Sequence, residues 1–296
     1  MTFRDFAEEF LRLIESDVAP STLREYDARL RNSLLPTFGG RWLSQITPKQ
    51  IEEWKGQRAK HVSPARINDE LILLKRIFHK AQEWGATKND PFRGVRKIKE
   101  PEHEPRFLTQ EEVARLLATA PSEWRVAIAI GVYAGLRASE LVNLEWSDIN
   151  VQRGTLTVQN KTGEGGWITK STRNRTIPIA PALLPYLTHH PRHFRSSYVF
   201  CNKAGDRRDP HLDTLQSIGK HAGIPGLTPH VLRHSFASHL VMAGVDLVTV
   251  KELLGHTDIA TTMRYAHLAP DHKRLAITKL DFSHPMDTSL QQEAVK

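Results

Sequence analysis

Two arginines, two histidines, a lysine and a tyrosine in the second half of this 296-residue sequence have the types and order to do chemistry. His230-Val231-Leu232-Arg233 sets an imidazole and a guanidinium three residues apart, neighbours on one helix face. Gly255-His256 falls where a helix ends, and Tyr265, preceded by Arg264, stands nine residues beyond His256. Upstream, Gly135-Leu136-Arg137-Ala138-Ser139-Glu140-Leu141 places an arginine in a helix that is otherwise apolar before it, and Lys170 lies at the tip between two strands. What is missing narrows the chemistry. The sequence has no Gly-x-x-x-x-Gly-Lys-Ser/Thr loop, no Gly-x-Gly-x-x-Gly, no His-Glu-x-x-His and no tight acidic cluster suited to two magnesium ions. A phosphoryl transfer run by these groups works without metal and draws its positive charge from side chains. Singly, each has a plainer use: Arg137 pairing with Glu140, Lys170 as a solvated turn residue, His230 as a helix cap, Tyr265 as a half-buried anchor.

The overall charge agrees with a polyanionic partner. Lys and Arg number 41 against 33 acids, a net charge of +8, and each phosphate neutralised by such side chains releases condensed counterions. Residues 1–105 carry 19 basic and 16 acidic side chains and residues 106–296 carry 22 and 17, so both halves are basic. A chain with 40% hydrophobic and 25% charged residues is neither disordered nor fibrous, and its length suits two modest domains. No apolar run is long enough to span a membrane. The acids in Met1-Thr2-Phe3-Arg4-Asp5-Phe6-Ala7-Glu8-Glu9 argue against an export signal. Cys201, the single cysteine, excludes an internal disulfide and a multi-cysteine zinc site. These features together predict a cytoplasmic protein.

The elements that must position the reactive groups can be read from punctuation. Thr22-Leu23-Arg24-Glu25 and Thr47-Pro48-Lys49-Gln50 both fit a capping box. Ser63-Pro64 opens a third helix with apolar Ile67, Leu71, Leu74, Phe78 and Ala81 at the helical period and Gly85 closing it. Its polar side carries Arg66, Lys75, Arg76 and Lys80, which as a group could lie along a DNA backbone. The run from Val95 to Pro105 is charged, with two prolines, and predicts a linker over 97–106 between a helical domain, 1–96, and a second domain, 107–280, that starts at the capping box Thr109-Gln110-Glu111-Glu112. That domain reads as helical from Trp124 to Leu144. Three short strands then follow at Thr155–Val158, Trp167–Thr169 and Arg175–Ile179, with glycines 163, 165 and 166 in the first turn and 171–174 in the second. Helices return after Pro181: Thr228-Pro229 opens one that Gly244 closes, and Gly255 closes the next. Residues 281–296 read as a polar tail.

Together and in this order, these segments resemble the tyrosine recombinase, or phage integrase, family. The resemblance rests on Ala134-Gly135-Leu136-Arg137-Ala138-Ser139-Glu140-Leu141, Thr169-Lys170 with Arg175-Thr176-Ile177-Pro178-Ile179, Thr228-Pro229-His230-Val231-Leu232-Arg233-His234-Ser235-Phe236-Ala237, Leu254-Gly255-His256 and Met263-Arg264-Tyr265-Ala266-His267. It implies a mainly α fold with a small three-stranded antiparallel sheet, in which a helical SAM-like core-binding domain and a catalytic domain form a C-shaped clamp on DNA. The implied activity is site-specific recombination of integrase or Xer type, through a 3′-phosphotyrosyl intermediate, with no metal, ATP or other cofactor. Tyr265 would be the nucleophile, Arg137 and Arg233 the phosphate clamp, Lys170 the general acid on the leaving 5′ oxygen, and His230 and His256 the rest of the catalytic set. Arg66, Lys75, Arg76, Lys80, Arg173 and Arg175 would contact DNA.

The chemistry is consistent with these roles. A phenol, with a pKa of about 10, needs positive charge near it to become a nucleophile. Arginines grip phosphate oxygens in bidentate fashion and offset the charge of the transition state. Lys161 is a rival to Lys170, since the glycine-rich turn lengthens the first hairpin. The expected partners are double-stranded DNA with inverted-repeat core sites, a homotetramer in the synaptic complex formed from monomers in free solution, and accessory DNA-bending or directionality proteins; no membrane is expected, and the location would be the cytoplasm, at the nucleoid. Because the core-binding-like helices begin almost at Met1, the additional arm-binding domain of many phage integrases is expected to be absent. Two alternatives stay open at this point: a type IB topoisomerase-like relaxing enzyme, and a DNA-binding relative that has lost catalysis.

Overall fold

The computed structural model describes residues 1–101, 105–161, 167, 174–208, 212–269 and 277. The chain divides into two compact units, Met1–His103 and Glu104–Lys296.

The first unit is helical. Helix α1 (Phe3–Leu13) starts where the Thr2 hydroxyl accepts the Asp5 N–H and the Asp5 carboxylate accepts the Thr2 N–H, at 3.2 and 3.1 Å. Helix α2 (Pro20–Arg29) has Ala19 before it and Pro20 as its first residue, so Thr22 lies inside the first turn and its expected capping box does not form. Proline fixes the φ a helix needs and lacks the N–H that would be orphaned there, which moves the start three residues earlier. A π-helical turn, Leu30–Leu34, leads into the short α3 (Leu35–Phe38). Helix α4 (Pro48–Arg58) opens on the Thr47–Gln50 capping box, and α5 (Pro64–Glu83) on Ser63.

Phe3, Phe6 and Phe10 of α1 are fully buried with Phe38, Trp54 and Phe78, and the Phe3 and Phe78 rings stack at 6.3 Å. One carboxylate shares this interior. Glu70 is wholly buried and accepts from Ser33 Oγ at 2.6 Å, from Arg58 Nη2 and Nε at 2.6 and 2.9 Å, and from Arg66 Nε at 3.3 Å. Removing one member of a buried, bonded pair leaves the other charge uncompensated, so Arg58→Met is expected to destabilise this unit by about 3 kcal/mol. Urea unfolding of the full chain would measure it.

The linker expected over 97–106 is, in its first part, pinned to this unit. Lys55 Nζ donates to the Arg96 carbonyl at 2.5 Å, and the buried Asn68 side chain pairs with both backbone groups of Ile98, at 2.8 and 2.9 Å. A charged, proline-bearing composition describes which groups meet water; it did not register that one buried amide can hold an extended strand of backbone.

The second unit is built around α7 (Ser122–Tyr133), whose Val126, Ala127, Ile128, Ala129 and Ile130 are all buried. A helix that is apolar all round belongs in a core. Helix α6 (Gln110–Thr119), started by the Thr109–Glu112 capping box, lies before it. The helix expected to run on to Leu144 breaks after Tyr133 and resumes as α8 (Ala138–Val142), because Gly135 turns the backbone at φ +64°. The sheet has three antiparallel strands, β1 (Ile149–Asn150), β2 (Thr155–Val158) and β3 (Arg175–Pro178), with Leu156 paired to Ile149 on one side and Ile177 on the other. Leu156, Val158 and Ile177 point to the core.

The kind of sheet is the expected one, and two of the expected strands are present as β2 and β3, but the third differs. Ile149–Asn150, too short for a sequence pattern, supplies the third strand. Of the expected strand Trp167–Thr169, Trp167 forms a two-bond backbone bridge with Lys161, at 2.7 and 2.9 Å, and the rest lies outside the described residues. Helices α9 (Leu184–Thr188), α10 (Leu212–His221), α11 (Pro229–Met242), α12 (Leu247–Leu254) and α13 (Ala260–Met263) complete the unit. Helix α11 packs closely on α7, where a Cβ on Gly131 would meet Leu232 at 2.9 Å. Among the described residues no helix is long and apolar enough to cross a membrane, and no group of three or more metal-ligating side chains occurs.

Candidate active site

The site forms where a break, a strand and two helix ends meet. Gly135 ends one helix and frees Arg137 to stand at the N-cap of α8, not within a helix as expected. Arg175 is the first residue of β3, Arg233 lies one turn into α11, and α12 ends at Leu254 with Gly255 left-handed at φ +65°.

A helix C-terminus leaves carbonyls without intrahelical partners, and here guanidinium groups take three in succession. Arg175 Nε donates to the Leu253 carbonyl at 2.9 Å, Arg233 Nη2 to Leu254 at 2.6 Å and Arg137 Nη2 to Gly255 at 3.0 Å. The same arginines surround one carboxylate. Glu140 accepts from Arg137 Nη1 at 2.7 Å and from Arg175 Nη1 and Nη2 at 2.9 and 2.6 Å, with Arg233 Nη1 3.9 Å away. Burial alone would raise the Glu140 pKa, but hydrogen bonds and charge from Arg175 and Arg137 outweigh it and hold the group at about 2. Three cations around one anion leave a net positive site. Arg137 is its open member, with 19% of its side chain exposed against 9% for Arg175 and 6% for Arg233. Burial pulls Arg233 below its ordinary range and Arg137 pulls the same way, while Glu140 opposes them. This is the environment in which an added anion gains most.

Gly135 serves the site in two ways. A Cβ there would sit 2.3 Å from the Phe236 ring on a backbone that L residues rarely adopt, and the Gly135 carbonyl accepts from Arg233 Nη1 at 2.6 Å. Gly135→Ala is expected to cost about 3 kcal/mol from overpacking and left-handed strain together and to displace Arg233. A lowered melting temperature together with reduced DNA cleavage would register both effects.

Tyr265 follows α13 and belongs to a small core of Phe236, Ala237, Val241, Val250 and Leu254, with only 2% of its surface exposed. Its hydroxyl lies in hydrogen-bond contact with Nδ1 of His234, the residue after Arg233, and the two rings stand 5.7 Å apart. Burial raises the Tyr265 pKa, while Arg264 and Arg233 act to lower it. Burial, then Arg264, His230 and Arg233, hold His234 neutral with a pKa of about 4. His256 is held near 4 as well, by burial and then by Arg233 and Arg137, and its Nδ1 bonds the Thr262 hydroxyl at 2.8 Å. His230 is exposed one turn before His234, with 6.5 Å between ring centres.

Of the other residues expected to act, Arg175 has only 9% of its side chain exposed. Its guanidinium is committed to Glu140 and Leu253, because a buried cation must be paired. Lys170 and Arg173 lie outside the described residues. Lys161, the rival lysine, is engaged elsewhere: Nζ stands 2.7 Å from both Asp148 oxygens and 3.6 Å from Glu145. In the first unit, Lys75 is exposed, Arg66 lies beside Glu70, Arg76 bonds the Tyr26 hydroxyl at 2.8 Å, and Lys80 pairs with Glu83 at 2.9 Å. Sequence reasoning did not single out Glu140 as the hub of three arginines, nor His234. Glu140 had a signal, its three-residue spacing from Arg137. His234 had none, since the contact spans 31 residues.

Residues 106–272 match the phage integrase family, and residues 2–55 match the N-terminal SAM-like domain of phage integrases. The tyrosine recombinase XerA of Pyrococcus furiosus is 35% identical over 232 residues, covering 75% of this chain and 76% of that protein. The integrase of Escherichia phage 186 is 31% identical over 247 residues, covering 81% and 68%. In fold, the chain is similar to the Tn1549 transposon integrase solved in complex with circular-intermediate DNA, with a TM-score of 0.79 over 95% of this chain and 100% of that one at 20% identity.

Proposed function

The chain belongs to the phage integrase family and is a tyrosine recombinase, an enzyme of site-specific DNA cleavage and religation, and we propose that the arginine cage around Glu140 holds the scissile phosphate for attack by Tyr265. The observation that carries this is the convergence of Arg137, Arg175 and Arg233 on one carboxylate and one helix end, with Arg233 near enough for its charge to act on the Tyr265 phenol.

In this reading the non-bridging phosphate oxygens bind to N–H groups of Arg137 and Arg233. Tyr265 Oη forms a bond to phosphorus as the bond to the 5′ oxygen breaks, giving a 3′-phosphotyrosine and a 5′ hydroxyl. Lys170 supplies the proton to that oxygen, His256 adds a hydrogen bond to the phosphate, and His230 assists proton transfer. Attack by a different 5′ hydroxyl reverses the step and joins new strands, since the phosphotyrosyl bond keeps the energy of the broken phosphodiester. Arg175 acts by positioning Glu140 and, through it, Arg137. The nucleophile is covered in the free chain, so DNA binding has to bring it to the phosphate. Exposed cations on α5, Lys75 foremost, support a second area of contact with the DNA backbone. Exchange between two duplexes calls for four protomers on inverted-repeat sites.

Covalent trapping tests this. The protein is mixed with sheared DNA of its source genome, including the flanks of its own gene, denatured in SDS, and the attached DNA is sequenced, with Tyr265→Phe as control. Attachment at one or a few sites supports the reading. Sites flanking the gene mark an integrase of a mobile element, and a single distant locus marks a chromosome-resolving enzyme. Scattered attachment identifies a topoisomerase-like activity instead, and no attachment even to nicked duplexes identifies an inactive binding relative. Because positive charge is supplied by side chains, cleavage is expected to persist at full rate in excess EDTA, and its loss there would overturn the metal-free mechanism.

A further inference from the structure

We infer that His234 is a catalytic residue of this reaction: it accepts the Tyr265 proton through Nδ1 as the phosphotyrosyl bond forms and returns it on religation. The inference rests on the assignment of Tyr265 as nucleophile. It starts from the direct contact between the reacting hydroxyl and a ring nitrogen, made by a residue on α11 next to Arg233. A general base must stand within hydrogen-bond reach of the proton it takes, and His234 does so before any DNA arrives.

The surroundings fit an acceptor. A half-buried imidazole beside Arg264, His230 and Arg233 is neutral, so Nδ1 can carry the lone pair and Nε2 the hydrogen. In the free protein the same positive field makes an imidazolium costly, and burial keeps the phenol protonated, so the pair is quiescent. A DNA phosphate held by Arg137 and Arg233 offsets that field, and the charge developing in the transition state offsets it further. The proton therefore moves only when there is a phosphate to attack. The step balances: Oη loses its proton to Nδ1 and bonds to phosphorus, the 5′ oxygen leaves with the electron pair of its P–O bond and is protonated by the general acid, and the reverse step restores both groups.

Two measurements test the inference. The first needs no DNA. Ring-nitrogen NMR of 15N-histidine in the full chain at pH 7 is expected to show His234 with Nδ1 unprotonated, and its Nδ1 signal is expected to move in Tyr265→Phe. A proton resident on Nδ1, or no response to Tyr265→Phe, overturns the proposal.

The second uses the genomic fragment captured by the wild-type protein, remade as a nicked suicide duplex, with the wild-type adduct as the check on the nucleophile itself. Failure of that adduct counts against the recombinase reading, whereas failure confined to the arms below counts against His234. His234→Asn, which keeps a polar atom near the Nδ1 position but no base, is expected to bind this DNA normally and to cleave it about 10²- to 10⁴-fold more slowly. Replacing Tyr265 in that variant by a trifluorotyrosine, whose phenol ionises without help, is expected to restore most of the rate. Wild-type cleavage by His234→Asn, a loss that the fluorinated tyrosine does not relieve, or relief in His230→Asn instead would each overturn the assignment. If His234→Asn does not fold, the NMR result on the unsubstituted chain still decides.

Discussion

Tyr265→Phe is expected to fold, bind DNA like the unsubstituted protein and form no covalent adduct at any site. The phenylalanine ring fills the same space among Phe236, Val241, Val250 and Leu254, so the core it completes is kept. Only the hydroxyl goes, and with it the hydrogen bond to His234, worth about 1 kcal/mol of stability. The effect on chemistry is far larger. Loss of a covalent nucleophile elsewhere costs on the order of 10⁶-fold in rate, which here places strand cleavage below detection. SDS-resistant protein–DNA complexes measure the first quantity and a gel-shift titration the second. An adduct that persists in Tyr265→Phe would remove Tyr265 from the mechanism; loss of binding would show that the hydroxyl organises the fold.

Glu140→Gln is expected to damage both stability and activity. The carboxylate is 2% exposed and gathers Arg137, Arg175 and Arg233. A neutral amide cannot compensate three cations, one buried and two largely covered, and half of its polar edge is a donor facing donors. Breaking a buried ion network of this kind costs about 3–5 kcal/mol, and loosening the phosphate clamp costs on the order of 10²- to 10³-fold in cleavage. Thermal unfolding and single-turnover cleavage would read the two losses. A variant as stable and as active as the parent would mean that the cage is held by the α12 carbonyls alone.

The same carboxylate sets part of the acid response. Glu140 titrates at about 2 in the folded chain against an ordinary 4.5, a stabilisation on the order of 3 kcal/mol. That contribution is complete above pH 4.5 and is lost as the pH falls through 2. His234 and His256 act earlier, because folding lowers them from 6.5 to about 4. The unfolded chain binds their protons first, so stability begins to fall below pH 6.5 and has lost their share near pH 4. Melting temperatures taken from pH 7 to 3 should therefore decline in the parent over the histidine range. In Glu140→Gln the histidine part of the decline remains and the further loss below pH 4.5 disappears.

Much of this was legible in the residues. Gly135-Leu136-Arg137, His230 with Arg233, Gly255-His256 and Tyr265 could be picked out and ordered because their chemistry and spacing are local properties. The capping boxes at Thr47 and Thr109 were legible for the same reason, being satisfied within three residues. The box at Thr22 was misread because a proline two residues earlier offered a better start. The helix break before Arg137 was missed although Gly135 marked it, since a glycine in an apolar run is also compatible with a continuing helix, and only the packing of Phe236 against Gly135 shows that no side chain fits there.

What the sequence determined by itself is the inventory: which groups can grip a phosphate, which can attack it, and which helices and turns carry them. The tertiary structure decided what each group is bonded to. Arg175 became a buried partner of Glu140, three guanidinium groups shared the end of α12, and Tyr265 came to rest against His234. These pairings join residues 21 to 118 positions apart. No periodicity or spacing encodes such distances, because they follow from how buried polar groups find partners once the helices have packed.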